Sequence, residues 1–96
     1  MRIDNVTQFL NFANSNSAIS SDPSISQLNH CLEKYKYKCS CYSNQDKINQ
    51  YNECNRIYQS IVLSTIPRLK REIFSKVGDM SVYFYDGSRL IGVISR

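Results

Sequence analysis

The chain is poor in the residues on which most catalytic chemistry depends. It has one histidine and three glycines in 96 residues. A single histidine, His30, cannot supply the H-E-x-x-H pair of a zinc protease. Glycines only at positions 78, 87 and 92 leave no G-x-x-x-x-G-K-[ST] phosphate loop and no G-x-S-x-G nucleophile elbow. These gaps argue against an enzyme. Long apolar runs are missing too, none approaching the ~18 residues of a membrane-span candidate, so no membrane partner is expected. The opening "MRIDNVTQFLNFANS" has an early acid and scattered polar residues, and therefore lacks the apolar stretch of a secretory signal. A cytoplasmic chain is expected, and its four cysteines should then be thiols or metal ligands before they are disulfides.

What is present fits one small domain. Hydrophobic residues make up 42% and charged residues 21%, a balance that excludes a disordered chain. Ninety-six residues lie near the lower end of what buries its own core. The net charge of +4 is concentrated between residues 31 and 76, a mild attraction for acidic partners. Isoleucine, asparagine, lysine, tyrosine and phenylalanine, all encoded by AT-rich codons, are used freely, whereas alanine occurs only at Ala13 and Ala18. The bias suggests an AT-rich genome such as that of many phages and endosymbionts.

Local signals divide the chain. A short helix is expected from Asn5 to Ala13, capped by Asp4, with Val6, Phe9, Leu10 and Ala13 on one face. Asn14 to Ser21, "NSNSAISS", reads as a polar loop or tether. Asp22-Pro23 is the clearest helix start, an N-cap followed by proline at the first helical position. Ile25, Leu28, Leu32, Tyr35 and Cys39 then repeat at helical spacing. Ser40 to Ser43 turns a corner, and Ser43 with Asp46 has the spacing of a capping box. The next helix carries Ile48, Tyr51, Cys54, Tyr58, Ile61 and Val62 on one side. Thr65 and Pro67 predict a break, and a third helix follows to a stop at Gly78.

Folding the two main helices antiparallel about that corner brings residues that sum to about 86 face to face. Leu28 meets Tyr58, Leu32 meets Cys54 and Tyr35 meets Tyr51, so the apolar faces agree along the hairpin. The last segment alternates instead, and Asp86-Gly87 reads as a two-residue hairpin turn. Counted from that turn, Met80, Val82, Phe84, Ile91 and Val93 share one face, and Tyr83, Tyr85, Leu90 and Ile94 the other. The expected fold is therefore α+β, one domain over residues 1–96. It has an N-terminal helix and tether (1–21), a helical region (22–77) and a C-terminal β-hairpin (80–95).

Three function readings follow. A two-stranded hairpin is marginal alone. With both of its faces apolar, Tyr83, Tyr85, Leu90 and Ile94 are expected to meet a protein partner or a second copy, unless the third helix folds back to cover them. The leading reading is a non-enzymatic structural or interaction protein in an oligomer or assembly, such as a small phage virion component. The second reading starts from "EKYKYKCSCYS". Lys34, Lys36 and Lys38, with Arg68, Lys70 and Arg71, would contact nucleic-acid phosphates as a small basic regulator. The third is a zinc-stabilised module on Cys31, Cys39, Cys41 and Cys54. Here the C-x7-C-x-C-x12-C spacing argues against a single site, because Cys31 and Cys54 meet about 12 Å from the corner. A Cys31–Cys54 disulfide is geometrically easier but needs an oxidising setting. The bland reading makes Cys31 and Cys54 small buried apolar residues, Cys39 and Cys41 corner thiols, and His30 a helix-surface residue. No cofactor is required, zinc being the one alternative.

Overall fold

The structure is a computed structural model that describes residues 1–37, 43–78 and 80–95. The described residues form ten elements of an α+β domain of 46 × 27 × 18 Å. The chain opens with strand β1 (Arg2–Ile3), then helices α1 (Val6–Asn14), α2 (Ser17–Ser20), α3 (Pro23–Lys36) and α4 (Asn44–Ser60). A π-helical turn (Ile61–Thr65) leads into α5 (Ile66–Arg68) and α6 (Lys70–Val77). Strands β2 (Val82–Asp86) and β3 (Arg89–Ile94) close the chain.

Helix starts follow their local chemistry. Asp22 caps α3 by accepting from the Ser24 amide and hydroxyl, at 3.0 and 2.6 Å, with Pro23 in the first turn. Ser43 and Asp46 form the reciprocal capping box at the start of α4, satisfying two backbone donors that the helix cannot. For α1 the cap is Asn5, which accepts from Gln8 at 2.9 Å. Asp4, the expected cap, instead pairs with Arg2.

Arg68 also reaches Asp22, at 2.7 Å, and so ties α5 to the N-terminus of α3. The Ser24 hydrogen bonds, and then Arg68, hold the Asp22 carboxyl below its ordinary value. The folded chain thus keeps a carboxylate where the unfolded chain would take a proton. Its contribution is complete above about pH 4 and is lost as pH falls through the depressed folded value. Replacing Asp22 with Ala should lower stability by about 1 kcal/mol, chiefly through the lost cap. Asp22→Asn should keep part of the cap and flatten the acid limb of stability against pH. Urea titrations between about pH 2 and 7 test both, and an unchanged acid limb in Asp22→Asn would refute the assignment.

The expected helical hairpin is present. Helices α3 and α4 pack along their length, with the Tyr35 and Tyr51 rings 5.2 Å apart and Cys31 against Cys54. Ile48 departs from the seam and is 51% exposed. Among the described residues it lies toward the outer end of the hairpin, at a surface hollow beside Tyr35, Lys47 and Tyr51. The break near Pro67 takes a specific form. Proline lacks the N–H of the α ladder, and its ring crowds the carbonyl four residues back, that of Leu63. One π-helical turn widens the backbone just upstream, so that the Ile66 amide bonds to Ile61 O, five residues back. The turn keeps Ile61, Val62 and Ile66 inward and leaves Leu63 outside. The third helix is consequently split at Leu69, and α6 ends at Gly78, whose φ of 70° suits glycine.

Two segments differ from the sequence expectation. Residues 14–21 are not a tether: Asn16 caps α2 by accepting from the Ala18 amide, and Ile19 is fully buried. The C-terminal hairpin is not alone either. β1 runs parallel to β2, pairing Arg2 with Tyr83 and Ile3 with Phe84, which gives a three-stranded sheet in the order β1-β2-β3. α1 lies between this sheet and the helical hairpin. Its Phe9 packs on Tyr58 at 5.0 Å and on Phe84 at 5.9 Å, and Phe12 reaches Phe84 at 6.2 Å. The core thus spans all three units.

Candidate functional site

The sheet presents one face to α1 and leaves the other open. Which residues occupy the open face depends on strand register. Asp86 pairs with Arg89, so the turn is Gly87-Ser88 rather than Asp86-Gly87. Gly87 has a φ of 65° and Ser88 does not share a positive φ, the pattern of a type II′ turn. A bulge then shifts the register between Phe84 and Tyr85: Tyr85 faces Leu90, whereas Phe84 faces Gly92 and Val82 faces Ile94. Ile91 is the extra residue.

This register corrects the expected interface. Ile94 points inward opposite Val82 and is 2% exposed, so it belongs to the core. Val93 moves to the open face, opposite Tyr83, and is 46% exposed. Tyr83 at 42% and Leu90 at 48% stand there as expected. Tyr85 is half-buried because the Arg2 guanidinium lies over its ring, 4.0 Å from the centroid. The open face therefore consists of Tyr83, Tyr85, Leu90, Val93 and Arg2. The Ile91 bulge, not the choice of turn, puts Val93 outward, since a Gly87-Ser88 turn without it would still pair Val93 with Val82. The two-residue β1 likewise gives no periodicity from which to foresee Arg2.

Gly92 explains how the sheet sits so close to the helices. A Cβ added there would collide with Cγ1 of Val62 in the π-helical turn. Glycine lets the two backbones approach, and the bulge at Ile91 brings it to the inner face.

The basic residues do not converge. Lys34 and Lys36 are exposed near the C-terminal end of α3, whereas Arg68 is bound at its N-terminal end through Asp22. About 18 Å of helix separates Asp22 from Lys34 at 1.5 Å per residue. Lys70 lies over the Phe74 ring, 5.9 Å from its centroid, and Arg71 is exposed on the same helix. Lys38 falls outside the described residues. Among those described, the candidate cations form two separate groups rather than one stripe for a phosphate backbone.

Cys31 and Cys54 do meet, with Sγ atoms 2.7 Å apart. Gln50 Nε2 donates to the Cys31 sulfur and carbonyl, both at 3.3 Å. Burial, then the hydrogen bond with Cys31, pushes the Cys54 thiol up to about 12. No three histidine, cysteine or acidic residues gather among the described residues. His30 is exposed on α3, and Cys39 and Cys41 lie outside the described residues.

A cleft of about 730 Å³ lies between β1, α1 and α6 and is lined by Arg2, Asp4, Gln8, Phe12 and Lys76 among others. Its carboxylate, Asp4, is held by Arg2, so the cleft offers a mixed surface without a free acid–base pair. No helix of the described chain is long and apolar enough to cross a membrane. No family model matches the chain, and no curated protein or solved structure matches it either.

Proposed function

We propose that this protein is a non-catalytic interaction module that associates through the open face of its sheet, with a second copy of the chain as the partner. The support is the exposure of Tyr83, Leu90 and Val93 on adjoining strands of a sheet whose other face is already filled by α1. Apolar and aromatic residues side by side on a sheet gain from leaving water together. An isologous contact lets one such patch serve both partners. Face-to-face association fits better than pairing through the outer edge of β3, because the Ile91 bulge and Arg89 on that strand are features that discourage edge pairing. The setting we propose is a virion assembly, as a small phage capsid, neck or tail accessory component, supported by small size and AT-biased composition. Capsid or tail genes flanking its gene would favour that setting, and regulatory genes would count against it.

Light scattering over a concentration series tests the association. The wild-type chain should show a mass above that of the monomer. A Tyr83→Lys, Leu90→Glu double variant should return to the monomer with its helical circular dichroism unchanged, since both side chains are outside the core. A wild-type chain that stays monomeric, or a variant that assembles equally well, would defeat the reading. The rival reading places a nucleic acid on the same open face, with Tyr83 and Tyr85 stacking bases beside Arg2. Binding to single-stranded DNA or RNA that weakens steeply with salt would favour it; no binding at low ionic strength would remove it.

A further inference from the structure

The thiol pair inside the helical hairpin plays no part in the interaction reading. Cys31 and Cys54 lie on facing turns of α3 and α4, are 6% and 0% exposed, and set their sulfurs 2.7 Å apart. The covalent distance is about 2.05 Å, so bond formation asks for under about 1 Å of approach. Volume alone could be filled by alanine or valine. Two sulfurs in register across a helix pair bring reactivity as well.

We propose that Cys31 and Cys54 are a reversible disulfide site that fastens α3 to α4, formed by exchange with a low-molecular-weight disulfide such as glutathione disulfide. Cys31 is the entry point. Cys31 is the less enclosed residue of the two, and the Gln50 amide at 3.3 Å offers a donor to negative charge developing on its sulfur. The Cys31 sulfur gives up its proton and attacks one sulfur of glutathione disulfide. The external S–S bond breaks, a mixed disulfide forms at Cys31, and the first glutathione leaves and takes up that proton. Cys54, fully enclosed and held as a thiol, acts second. It loses its proton as its sulfur attacks the Cys31 sulfur, and the second glutathione leaves as the protonated thiol. Two protein thiols are oxidised and one external disulfide is reduced to two thiols. The product joins residues 23 positions apart and withdraws a loop of that size from the freedom of the unfolded chain.

The experiment uses the wild-type chain. After equilibration with glutathione disulfide, remaining thiols are alkylated in denaturant and the chain is cut with trypsin. Cleavage after Arg2, Lys34, Lys38, Lys47 and Arg56 puts Cys31 in peptide 3–34, Cys39 and Cys41 in 39–47, and Cys54 in 48–56, so a Cys31–Cys54 link differs in mass from any link to Cys39 or Cys41. The expected product is 3–34 linked to 48–56, lighter by two hydrogens than the separate peptides and separated by dithiothreitol. The oxidised chain should melt on the order of 10 °C above the reduced one. Recovery of Cys31 and Cys54 as alkylated thiols, as separate glutathione adducts, or linked to peptide 39–47 would overturn the proposal. A linked product that melts no higher than the reduced chain would overturn the fastening role.

Discussion

Tyr58→Ala should cost about 4 kcal/mol of folding stability, the range for removing a large buried aromatic side chain. Tyr58 is fully buried at the meeting point of three units. Its ring packs on Phe9 of α1 at 5.0 Å, and its hydroxyl donates to Tyr85 O of β2 at 2.9 Å. Truncation would leave a cavity bounded by α1 and the sheet and deprive the Tyr85 carbonyl of a donor. Since domains of this kind hold only about 5–15 kcal/mol in total, the variant should sit close to its unfolding transition in water. Tyr58→Phe keeps the ring and loses the hydrogen bond, so about 1 kcal/mol is expected. Urea midpoints of the two variants separate packing from hydrogen bonding. Equal losses would mean that the ring does not form the junction described.

Gly92→Ala is the second large effect, with an expected loss of about 2–3 kcal/mol from overpacking. The new methyl would run into Cγ1 of Val62. A β-branched side chain within a helical turn has little rotamer freedom with which to withdraw. The diagnostic result is a rescue. Val62→Ala alone should destabilise by opening space, yet in the double variant the alanine at 92 has room, and the combined loss should be smaller than the sum of the two single losses. Strict additivity in that cycle would show that β3 and the π-helical turn are not in the contact described here.

The same contact shows where the sequence stops being informative. Caps are decided within three residues of themselves. Asp22 with Ser24, and Ser43 with Asp46, therefore act in the fold as their spacing indicates. The seam between α3 and α4 was legible for a related reason, since apolar residues at helical spacing leave few registers in which both faces agree, and Tyr35 does meet Tyr51. The β-hairpin was recognisable by alternation but not by register. Asp86-Gly87 and Gly87-Ser88 are both acceptable two-residue turns and leave the same residues on each face, because moving the turn by one residue shifts the pairing by two. The single extra residue at Ile91 is what exchanges the faces beyond it. The choice between Ile94 and Val93 as the outward residue then rested on a bulge and on the need to bring a glycine over Val62.

Sequence alone determined the α+β class, the helix starts at Asp22 and Ser43, the disruption at Pro67 and the meeting of Cys31 with Cys54. These depend on short-range hydrogen bonding and on helical periodicity, which repeat within a few residues. Tertiary structure decided the rest. It recruited Arg2–Ile3 as a third strand, buried Ile19 in a segment too polar to suggest a core, and separated the basic residues by the length of α3. It also made Tyr83, Tyr85, Leu90 and Val93 one open face. Each of these joins residues far apart in the chain, where contact is set by which backbones can approach most closely, and no local pattern records that.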